Sequence, residues 1–357
     1  MRCLGDVEGS YTYFANGDVL LAKITPCFEN GKLAIASDLT NQCGFGSSEY
    51  IVLRPIRGMS AEYLYYFLSR ETFRAEGVQT MGGAVGHQRV AKEFIENYPV
   101  PLPPLPEQQR IVAILDEAFE GLAAASANAE KNLKNACELF DGYRDLIFAR
   151  KNDGWRESPL NALVEIKHGF AFSGQYFTDR GDYVVLTPGN FFEEGGYRDR
   201  GDKQKYYVGD IPKGYILREG DFLIAMTEQA PGLLGSSIIV PESNKFLHNQ
   251  RLGLVCVKRG GPWCSGFFFH AFNTRNFRQA VHDGAAGVKV RHTSPGKLGV
   301  VHVSYPRTVS EQEEIAAALD EIHDESKRLA ALCRQKIDYI AELKQSLLAK
   351  AFAGELI

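Results

Sequence analysis

The chain has 357 residues, enough for two or three domains that each bury a core of their own. Its 45% hydrophobic and 24% charged residues, with a formal net charge of −4, are ordinary for a globular protein. No apolar run approaches the roughly 18 residues of a membrane span, and the N-terminal residues lack the apolar core of a signal peptide. Seven scattered cysteines form no C-x-x-C pair, which predicts reduced thiols, no metal site and a cytoplasmic location.

The first hundred residues are predicted to form strands followed by a helix. Residues 19–24, 32–36 and 50–53 are β-rich and are bounded by turn residues. Ser60 is a suitable N-cap for an apolar helix that extends to Leu68. The aromatic residues of this helix could stack on bases, but their helical spacing favours a place in the core.

A proline-rich segment, residues 101–106, leads into a proline-free stretch, residues 107–151, that is predicted to be one long helix. Pro106 suits the first helical position, and Glu107 suits the positive end of the helix dipole. Apolar residues recur at helical spacing and form a narrow stripe of the kind that pairs with another helix. The stripe consists of Ile111, Leu115, Phe119, Leu122, Leu133, Cys137, Phe140 and Ile147.

The second half of the chain follows the same plan. Strands are predicted at residues 163–167, 183–187 and 222–226, and an apolar helix at 264–272. A second long proline-free helix is predicted from residue 310 to near Ala353. Its apolar stripe consists of Ile315, Leu319, Ile322, Leu329, Leu332, Ile337, Ile340, Leu343 and Leu347.

Matched motifs indicate a tandem duplication. Glu-Gln-x-x-Ile occurs at residues 107–111 and again at 311–315, and Leu-Asp-Glu follows at the same offset of 204 residues. Upstream, Gly-Asp-Val-Leu at 17–20 matches Gly-Asp-Phe-Leu at 220–223. A period near 200 residues indicates duplicated domains rather than a solenoid. The second copy has 65 residues between Trp155 and Gly220, so we expect about fifty residues to be missing from the front of the first copy.

A glycine-containing loop follows the apolar helix in each copy, at residues 80–89 and 284–293. Both loops combine backbone freedom with side chains that reach phosphates and purine edges. Each could also be a solvent-exposed connection with incidental charges, but recurrence in both copies favours contact with a partner. The candidate DNA-binding residues, including two arginines upstream of the second loop, are Gly82, Gly83, His87, Gln88, Arg89, Arg275, Arg278, Lys289, Arg291, His292 and Thr293.

Charge is distributed unevenly. Residues 107–150 carry a net charge of −3 and residues 311–355 a net charge of −4, which leaves +3 for the rest of the chain. This distribution permits a DNA-facing surface on the globular parts, although the acidic helices could simply be solvated. No H-E-x-x-H, G-x-S-x-G, P-loop, dinucleotide-binding or DNA-methyltransferase motif occurs, so the sequence predicts no catalytic site.

The motif Pro-Leu-Pro-Pro-Leu-x-Glu-Gln-x-x-Ile-Val, at residues 101–112, resembles the opening of a conserved region in specificity (S) subunits of type I restriction-modification enzymes. Residues 304–315 resemble the second such region, with a different sequence in place of the proline-rich run. Residues 181–190, the two Gly-Asp strands and the tail 343–356 are also similar to that family. Members usually begin with a complete first recognition domain, and the expected gap in the first copy departs from this.

The resemblance implies an α+β fold with two tandem target-recognition domains, each of mixed α/β structure and each followed by a long helix. The two helices would pack as an antiparallel coiled coil. The segments would be residues 1–106, 107–151, 152–309 and 310–357. The candidate seam and partner-binding residues are Ile111, Leu115, Phe119, Leu122, Ile315, Leu319, Ile322, Leu343 and Leu347.

The function implied by the resemblance is that of a non-catalytic subunit that reads a bipartite site in double-stranded DNA. It would dock two methyltransferase subunits, which bind S-adenosylmethionine, and through them restriction subunits, which bind ATP and Mg; the chain itself would hold no cofactor and contact no membrane. A protein-only coiled-coil adaptor, or a half-subunit that needs a second S polypeptide, is the alternative. A self-sufficient enzyme is disfavoured by the missing motifs.

Overall fold

The computed structural model describes residues 11–84, 86–150, 154–228, 232–287 and 290–356. The chain divides into two compact units, residues 1–133 with 331–357 and residues 134–330. Each long helix therefore contributes one part to each unit. This grouping follows spatial contacts, whereas the four segments predicted above divide the chain by sequence and stay a prediction.

The globular part of the first unit is a small α/β core. In chain order its elements are β1 (Thr12–Ala15), β2 (Val19–Ala22), β3 (Leu33–Ile35), β4 (Cys43–Gly46), β5 (Tyr50–Leu53), α1 (Ala61–Leu68), α2 (Glu71–Gln79) and α3 (Lys92–Asn97). Strand β2 is central and pairs antiparallel with β3 and β5. Strands β1 and β4 form a separate antiparallel pair.

Apolar side chains on one face of β2 and on α1 form the core of this unit. Ser60 caps α1 as predicted, since its side chain accepts a hydrogen bond from the backbone of Tyr63. The predicted core role of the aromatic residues of α1 is confirmed for Phe67, which is buried among the strands and short helices. The cluster consists of Val19, Leu21, Phe28, Leu64, Phe67, Leu68, Phe73, Val90 and Ile95.

The globular part of the second unit is larger. Its strands are β6 (Arg156–Pro159), β7 (Val164–His168), β8 (Phe177–Thr178), β9 (Tyr183–Leu186), β10 (Tyr206–Tyr207), β11 (Phe222–Ala225), β12 (Thr227–Glu228), β13 (Ser237–Ile239), β14 (Phe246–His248), β15 (Leu252–Val257), β16 (Arg291–His292) and β17 (His302–Tyr305). Its short helices are α5 (Ser265–Phe272), α6 (Arg275–Asp283) and α7 (Pro295–Gly299). The sheets have the strand orders β13-β11-β15-β7, β14-β9-β10-β8, β12-β16 and β17-β6.

Strand β11 lies between two apolar cores and is buried along its whole length. Side chains alternate across a strand, so Phe222 and Ile224 enter one apolar cluster while Leu223 and Ala225 enter another. The first cluster also contains Phe267 and Phe268 of α5, and the second contains residues of β9 and β14. A strand buried on both faces reads as a continuous apolar run, as the sequence does here.

The two predicted long helices are confirmed as α4 (Leu105–Arg150) and α8 (Val309–Ala353). Helix α4 begins one residue before Pro106, whose missing N–H still falls among the unpaired groups of the first turn. In the first unit, Ile111 and Leu115 near the start of α4 share one cluster with Leu348 and Ala351 near the end of α8. The helices are therefore antiparallel there.

The second unit repeats this arrangement with the opposite ends of the helices. The ring of Phe140, in the last third of α4, lies 4.3 Å from the ring of His323 near the start of α8. Ser326 donates a hydrogen bond to the carbonyl oxygen of Ala136. In each unit the start of one helix therefore meets the end of the other, which confirms the predicted fold class.

Small residues occupy the middle of the seam, which is the contact between α4 and α8. This corrects the apolar stripes predicted for the two helices. Cys137 is exposed, and Leu329, Leu332 and Leu343 are 46%, 57% and 48% exposed. Leu343 is therefore not a seam residue, although it stays a predicted partner contact. The buried residues are instead Ala129, Ala136, Ala330 and Cys333. A stripe that repeats every seven residues drifts around a straight α-helix, so its residues do not all face the other long helix. Small side chains in the middle allow the two helix backbones to approach closely.

His248 is buried in β14, and this burial predicts that the second unit loses folding stability at acid pH. Its Nε2 atom is 2.9 Å from the carbonyl oxygen of Leu252, and burial lowers the pKa of His248 to about 4. The unfolded chain, with a histidine pKa of about 6.5, then binds protons first, so stability is lost as pH falls from 6.5 towards 4. We expect a loss of up to about 3 kcal/mol in the free energy of unfolding. Urea titrations of His248→Gln should show a flatter pH dependence, whereas the exposed His87→Gln should match the parent chain.

Candidate nucleic-acid interface and its anchors on the long helices

The two glycine-containing loops are structurally equivalent hairpins. In the first unit, Gly82 and Arg89 exchange two backbone hydrogen bonds of 3.0 and 2.9 Å, and Arg89 also bridges Ile24. In the second unit, Ala286 and His292 exchange two bonds of 2.9 Å, and β16 pairs with β12. Each hairpin is thus fixed beside the turn that follows the Gly-Asp strand. The predicted correspondence between the two loops is confirmed in their backbone geometry.

The first hairpin presents a mixture of free and committed side chains. His87 is exposed and Gln88 is half-buried. Arg89 forms a two-pronged ion pair with Glu49, with distances of 2.9 and 2.6 Å, and its hydrogen bonds lower the pKa of Glu49. Gly83 has a φ of +123°, a conformation that side chains rarely adopt. Arg89 therefore holds the hairpin to the sheet and would need to leave Glu49 to bind a phosphate.

The second hairpin exposes His292, whereas Arg291 is half-buried with its guanidinium against the ring of His282. Thr293 is buried, and its backbone N–H donates to Met226. Its side chain is therefore poorly placed for DNA contact, and that assignment stays a prediction. Lys289 lies outside the described residues, so its assignment stays a prediction.

A buried carboxylate, Glu228, organises the turn beside the second hairpin, and sequence reasoning missed it. Its Oε2 atom accepts hydrogen bonds from the backbone N–H groups of Gly232, Leu233 and Leu234 at 3.1, 3.1 and 2.9 Å. Its Oε1 atom lies 3.5 Å from Nε2 of His282, a residue that also contacts Arg291. Glu228 therefore links the turn, α6 and the hairpin.

Two predicted DNA-binding arginines have internal partners. The guanidinium of Arg278 donates to the carbonyl oxygens of Glu193 and Gly232, and burial lowers the pKa of Arg278 to about 10. Arg275 is exposed, but its Nε atom lies 3.3 Å from a carboxylate oxygen of Asp145. Arg278 binds the turn in this structure, and its assignment as a DNA contact stays a prediction.

A buried glutamine fixes the first globular part to α4. The side chain of Gln108 is 0% exposed. Its Nε2 atom donates to the carbonyl oxygens of Gly58 and Pro103 at 2.8 and 2.7 Å, and its Oε1 atom accepts from the backbone N–H of Ser60 at 2.9 Å. One amide thereby satisfies three backbone groups of two loops.

Gln312 repeats this anchor in the second unit at the offset of 204 residues. It is also 0% exposed, donates to Pro262 and Pro306 at 3.1 Å each, and accepts from the backbone of Cys264 at 2.9 Å. The glutamine of the repeated Glu-Gln motif is therefore a structural anchor. In the sequence the motif marks the duplication and carries part of the family resemblance, but it does not indicate this structural role.

A carboxylate two turns further along each helix makes a second anchor. The Tyr66 hydroxyl donates to Asp116, and burial together with this bond raises the pKa of Tyr66. In the second unit His270 takes the place of Tyr66, with its Nε2 atom 2.8 Å from an oxygen of Asp320. Both globular parts thus contact an aspartate at the same position of their long helices.

The end of the other long helix completes each unit. In the first unit, Phe352 of α8 packs against Tyr63 and Phe67, with ring centroids 5.2 Å apart in both cases. In the second, Phe148 of α4 packs against Phe267 at 5.1 Å. Each globular part therefore rests on a scaffold made from the start of one long helix and the end of the other.

The described residues offer no site for metal chemistry: none of their His, Cys, Asp and Glu side chains form a group of three or more that could hold an ion. Among the same residues, no helix combines the length and apolar character that crossing a membrane requires. The arrangement provides hydrogen-bonding hairpins on rigid supports, which is suited to recognition.

The chain is similar to known proteins. Residues 8–134 match the family model for the type I restriction modification DNA specificity domain. Over 108 residues the chain is 47% identical to the EcoAI specificity subunit of Escherichia coli, which covers 30% of this chain and 18% of that protein. It is 22% identical over 308 residues to the MjaVIII specificity subunit of Methanocaldococcus jannaschii, covering 82% and 70% respectively. The matches to the Escherichia coli relatives EcoAI and EcoEI thus span less than a fifth of their length.

Solved structures share the fold. A chain from a structure describing assembly and conformational transition of the type I restriction-modification system has a TM-score of 0.81 at 19% identity, covering 99% of this chain and 86% of that one. The HsdS subunit from Thermoanaerobacter tengcongensis has a TM-score of 0.60 at 21% identity, covering 99% and 85%. The fold defines a class of proteins with two mixed α/β units, each supported by long antiparallel helices. Within that class, the chain is similar to specificity subunits of type I restriction-modification enzymes.

Proposed function

We propose that the chain is the non-catalytic DNA-specificity subunit of a type I restriction-modification complex, in which each unit reads one half of a bipartite DNA site. The observation that carries this proposal is the repeated reading element: a hairpin beside a fixed turn, anchored to a long helix by the same glutamine and aspartate positions. Two such elements on one chain fit a site with two separated halves.

The chemistry of the hairpins supports contact with DNA. Exposed imidazoles at His87 and His292 can donate to phosphates or to base edges in the major groove. Gly83 and Gly287, in the loops of the two hairpins, both have positive φ, a conformation that residues with side chains rarely adopt. Rigid support from the long helices would hold these groups in register with the duplex.

The long helices also carry apolar side chains that are substantially exposed. Leu139, Tyr143 and Leu146 of α4 are 66%, 39% and 45% exposed and lie on one face at helical spacing. We assign this face to the docking of methyltransferase subunits, two in the complete complex, with restriction subunits joining through them. S-adenosylmethionine, ATP and Mg would be bound by those partners, and the complex would act in the cytoplasm.

Substitution of the second hairpin should weaken DNA binding without affecting assembly. Arg291→Ala with His292→Ala removes two donors, and we expect affinity for a duplex containing the recognised site to fall about 10-fold or more, since a good base contact contributes about 1–3 kcal/mol. Binding is measured with the methyltransferase partner at a stated salt concentration, because phosphate contacts depend on salt.

Arg259→Ala is the matched control, because Arg259 is an exposed cation of the same unit outside the hairpin. It should retain the affinity of the parent chain. Unchanged DNA binding in the double variant would remove the hairpin from the interface. Partner binding without any sequence preference in the parent chain would instead identify a protein-only adaptor.

A further inference from the structure

In the first unit, one residue connects the hairpin to the sheet. Lys23 directly follows β2, and its N–H donates to the carbonyl oxygen of Glu49 at 3.0 Å. Its own carbonyl oxygen accepts from the N–H of Val90 at 2.9 Å. Glu49 immediately precedes β5, and Arg89 immediately precedes Val90. These bonds bring together the side chains of Glu49 and Arg89, which form the two-pronged ion pair.

The second unit repeats these backbone bonds with different side chains. Met226 directly follows β11, donates to the carbonyl oxygen of Arg251 and accepts from the N–H of Thr293, at 2.9 Å in both bonds. Arg251 immediately precedes β15, the position that a glutamate occupies before β5, and both strand pairs are antiparallel. By the same bonds, His292 is the counterpart of Arg89. An arginine and a histidine therefore stand where the first unit has a glutamate and an arginine.

The charge beside the two hairpins differs accordingly. In the first unit, hydrogen bonds from Arg89 hold the pKa of Glu49 below its usual range, and the charge of Lys23 adds to this effect. An ionised carboxylate thus engages the guanidinium of the hairpin. In the second unit, Arg251 and His292 are both exposed, and neither side chain forms a hydrogen bond or ion pair within the part of the chain that the structure describes. The second surface therefore presents two uncommitted donors.

We propose that this position sets how strongly each unit holds DNA: Arg251 binds the phosphate backbone beside the second hairpin, whereas Glu49 competes with phosphates for Arg89 in the first. A guanidinium binds phosphate oxygens in the same two-pronged geometry that it adopts with a carboxylate. An exposed ion pair is weak in water, so a phosphate can displace Glu49, but DNA binding then loses that pair. This assignment rests on the proposed function and adds to it a DNA-contacting residue and an inhibitory contact.

The test uses the full 357-residue chain and a fluorescein-labelled duplex of randomised sequence. Randomised DNA reports phosphate contacts without requiring the recognised site. Fluorescence anisotropy gives the affinity at several salt concentrations between about 50 and 200 mM KCl. The slope of log K against log of the salt concentration then counts phosphate contacts, because each contact contributes about 1 to its magnitude.

Loss of the arginine should weaken binding in a salt-dependent way. We expect Arg251→Ala to bind the duplex about 5-fold more weakly at the lowest salt concentration and to reduce the magnitude of the slope by about 1. Arg251→Lys keeps the positive charge and should keep the slope of the parent chain. Arg259→Ala is the matched control, because it removes an exposed cation of the same unit away from the hairpin.

Loss of the carboxylate should have the opposite effect. Glu49→Gln releases Arg89 for phosphate, and we expect it to bind the duplex about 3-fold more tightly and to increase the magnitude of the slope by about 1. Glu120→Gln removes the same charge from an exposed position of α4 in the same unit, and it should bind like the parent chain. Circular dichroism checks that every variant is folded before titration.

Several results would overturn the proposal. Parent-like affinity and slope for Arg251→Ala or for Glu49→Gln would do so, as would equal tightening by Glu120→Gln, which would assign the effect to net charge. An equal change of slope in Arg251→Lys and Arg251→Ala would indicate a structural role instead. In each of these cases the parent chain still binds the duplex, so the proposed function stands. Absence of duplex binding by the parent chain and by every variant would contradict both proposals.

Discussion

Gln312→Ala should lower the free energy of unfolding of the second unit by about 4 kcal/mol, one of the largest effects expected from a single substitution in this chain. The substitution leaves three buried backbone groups, at Cys264, Pro262 and Pro306, without their partner. Each unsatisfied buried group costs about 1–3 kcal/mol, and partial access of water to the loops reduces the sum. Urea denaturation followed by tryptophan fluorescence measures this directly, because Trp155 and Trp263, the two tryptophans of the chain, both lie in this unit.

Glu313→Ala is the control for that measurement, because the neighbouring Glu313 is exposed and should change the free energy of unfolding by no more than about 0.5 kcal/mol. The equivalent pair in the first unit is the buried Gln108 and the exposed Gln109. Hydrogen exchange of residues 58–68 reports on that unit, and Gln108→Ala alone should accelerate it. Equal unfolding midpoints for Gln312→Ala and Glu313→Ala would show that the glutamine does not anchor the globular part.

The long helices were predictable from sequence because their signal is local. A proline-free run with apolar residues at helical spacing fixes the element, and the proline-rich segment before Glu107 fixes its start to within two residues. The seam was less predictable in the middle. There Ala136 and Ala330 are buried while Leu329 is exposed. Which residues are buried there depends on how closely the two helices approach and not on hydrophobicity.

The anchors were not predictable because they join residues about fifty positions apart. Gln108 is a polar residue in the first turn of a helix, and nothing local distinguishes it from the exposed Gln109. Its side-chain amide can be buried because the fold brings the carbonyl oxygen of Gly58 to it as a hydrogen-bond acceptor. The recurrence of Glu-Gln at an offset of 204 residues was the available signal, and it indicated repetition without indicating a role.

The candidate interface was predicted in position but only partly in composition. Both hairpins were found from glycine content and recurrence, and the structure closes them in equivalent ways. Arg278 is a candidate DNA contact by sequence, yet in the structure backbone carbonyl oxygens bind its guanidinium. Glu228 was missed because an acidic side chain is usually solvated, and the sequence does not show that the N–H groups of Gly232, Leu233 and Leu234 fold back onto it.

Glu228→Ala should reduce binding of the recognised duplex by about 100-fold, or roughly 3 kcal/mol, although Glu228 touches no DNA in the proposed arrangement. Its removal leaves the N–H groups of Gly232, Leu233 and Leu234 unpaired and releases the turn beside the second hairpin. The neighbouring contact between His282 and Arg291 also loses its support, since Glu228 lies 3.5 Å from His282. Duplex titrations with the methyltransferase partner measure the loss.

Glu228→Gln separates a positioning role from a general loss of structure. Glutamine retains one side-chain oxygen that can accept from the turn, so we expect it to recover at least half of the lost binding free energy. Glu219→Ala, at an exposed carboxylate of the same unit, should bind DNA like the parent chain. A positioning role also predicts that Glu228→Ala keeps its affinity for the methyltransferase partner, which docks on the long helices in the proposed function. Equal loss of DNA binding and partner binding would show instead that the substitution unfolds the unit, and full DNA affinity would show that the turn does not position the hairpin.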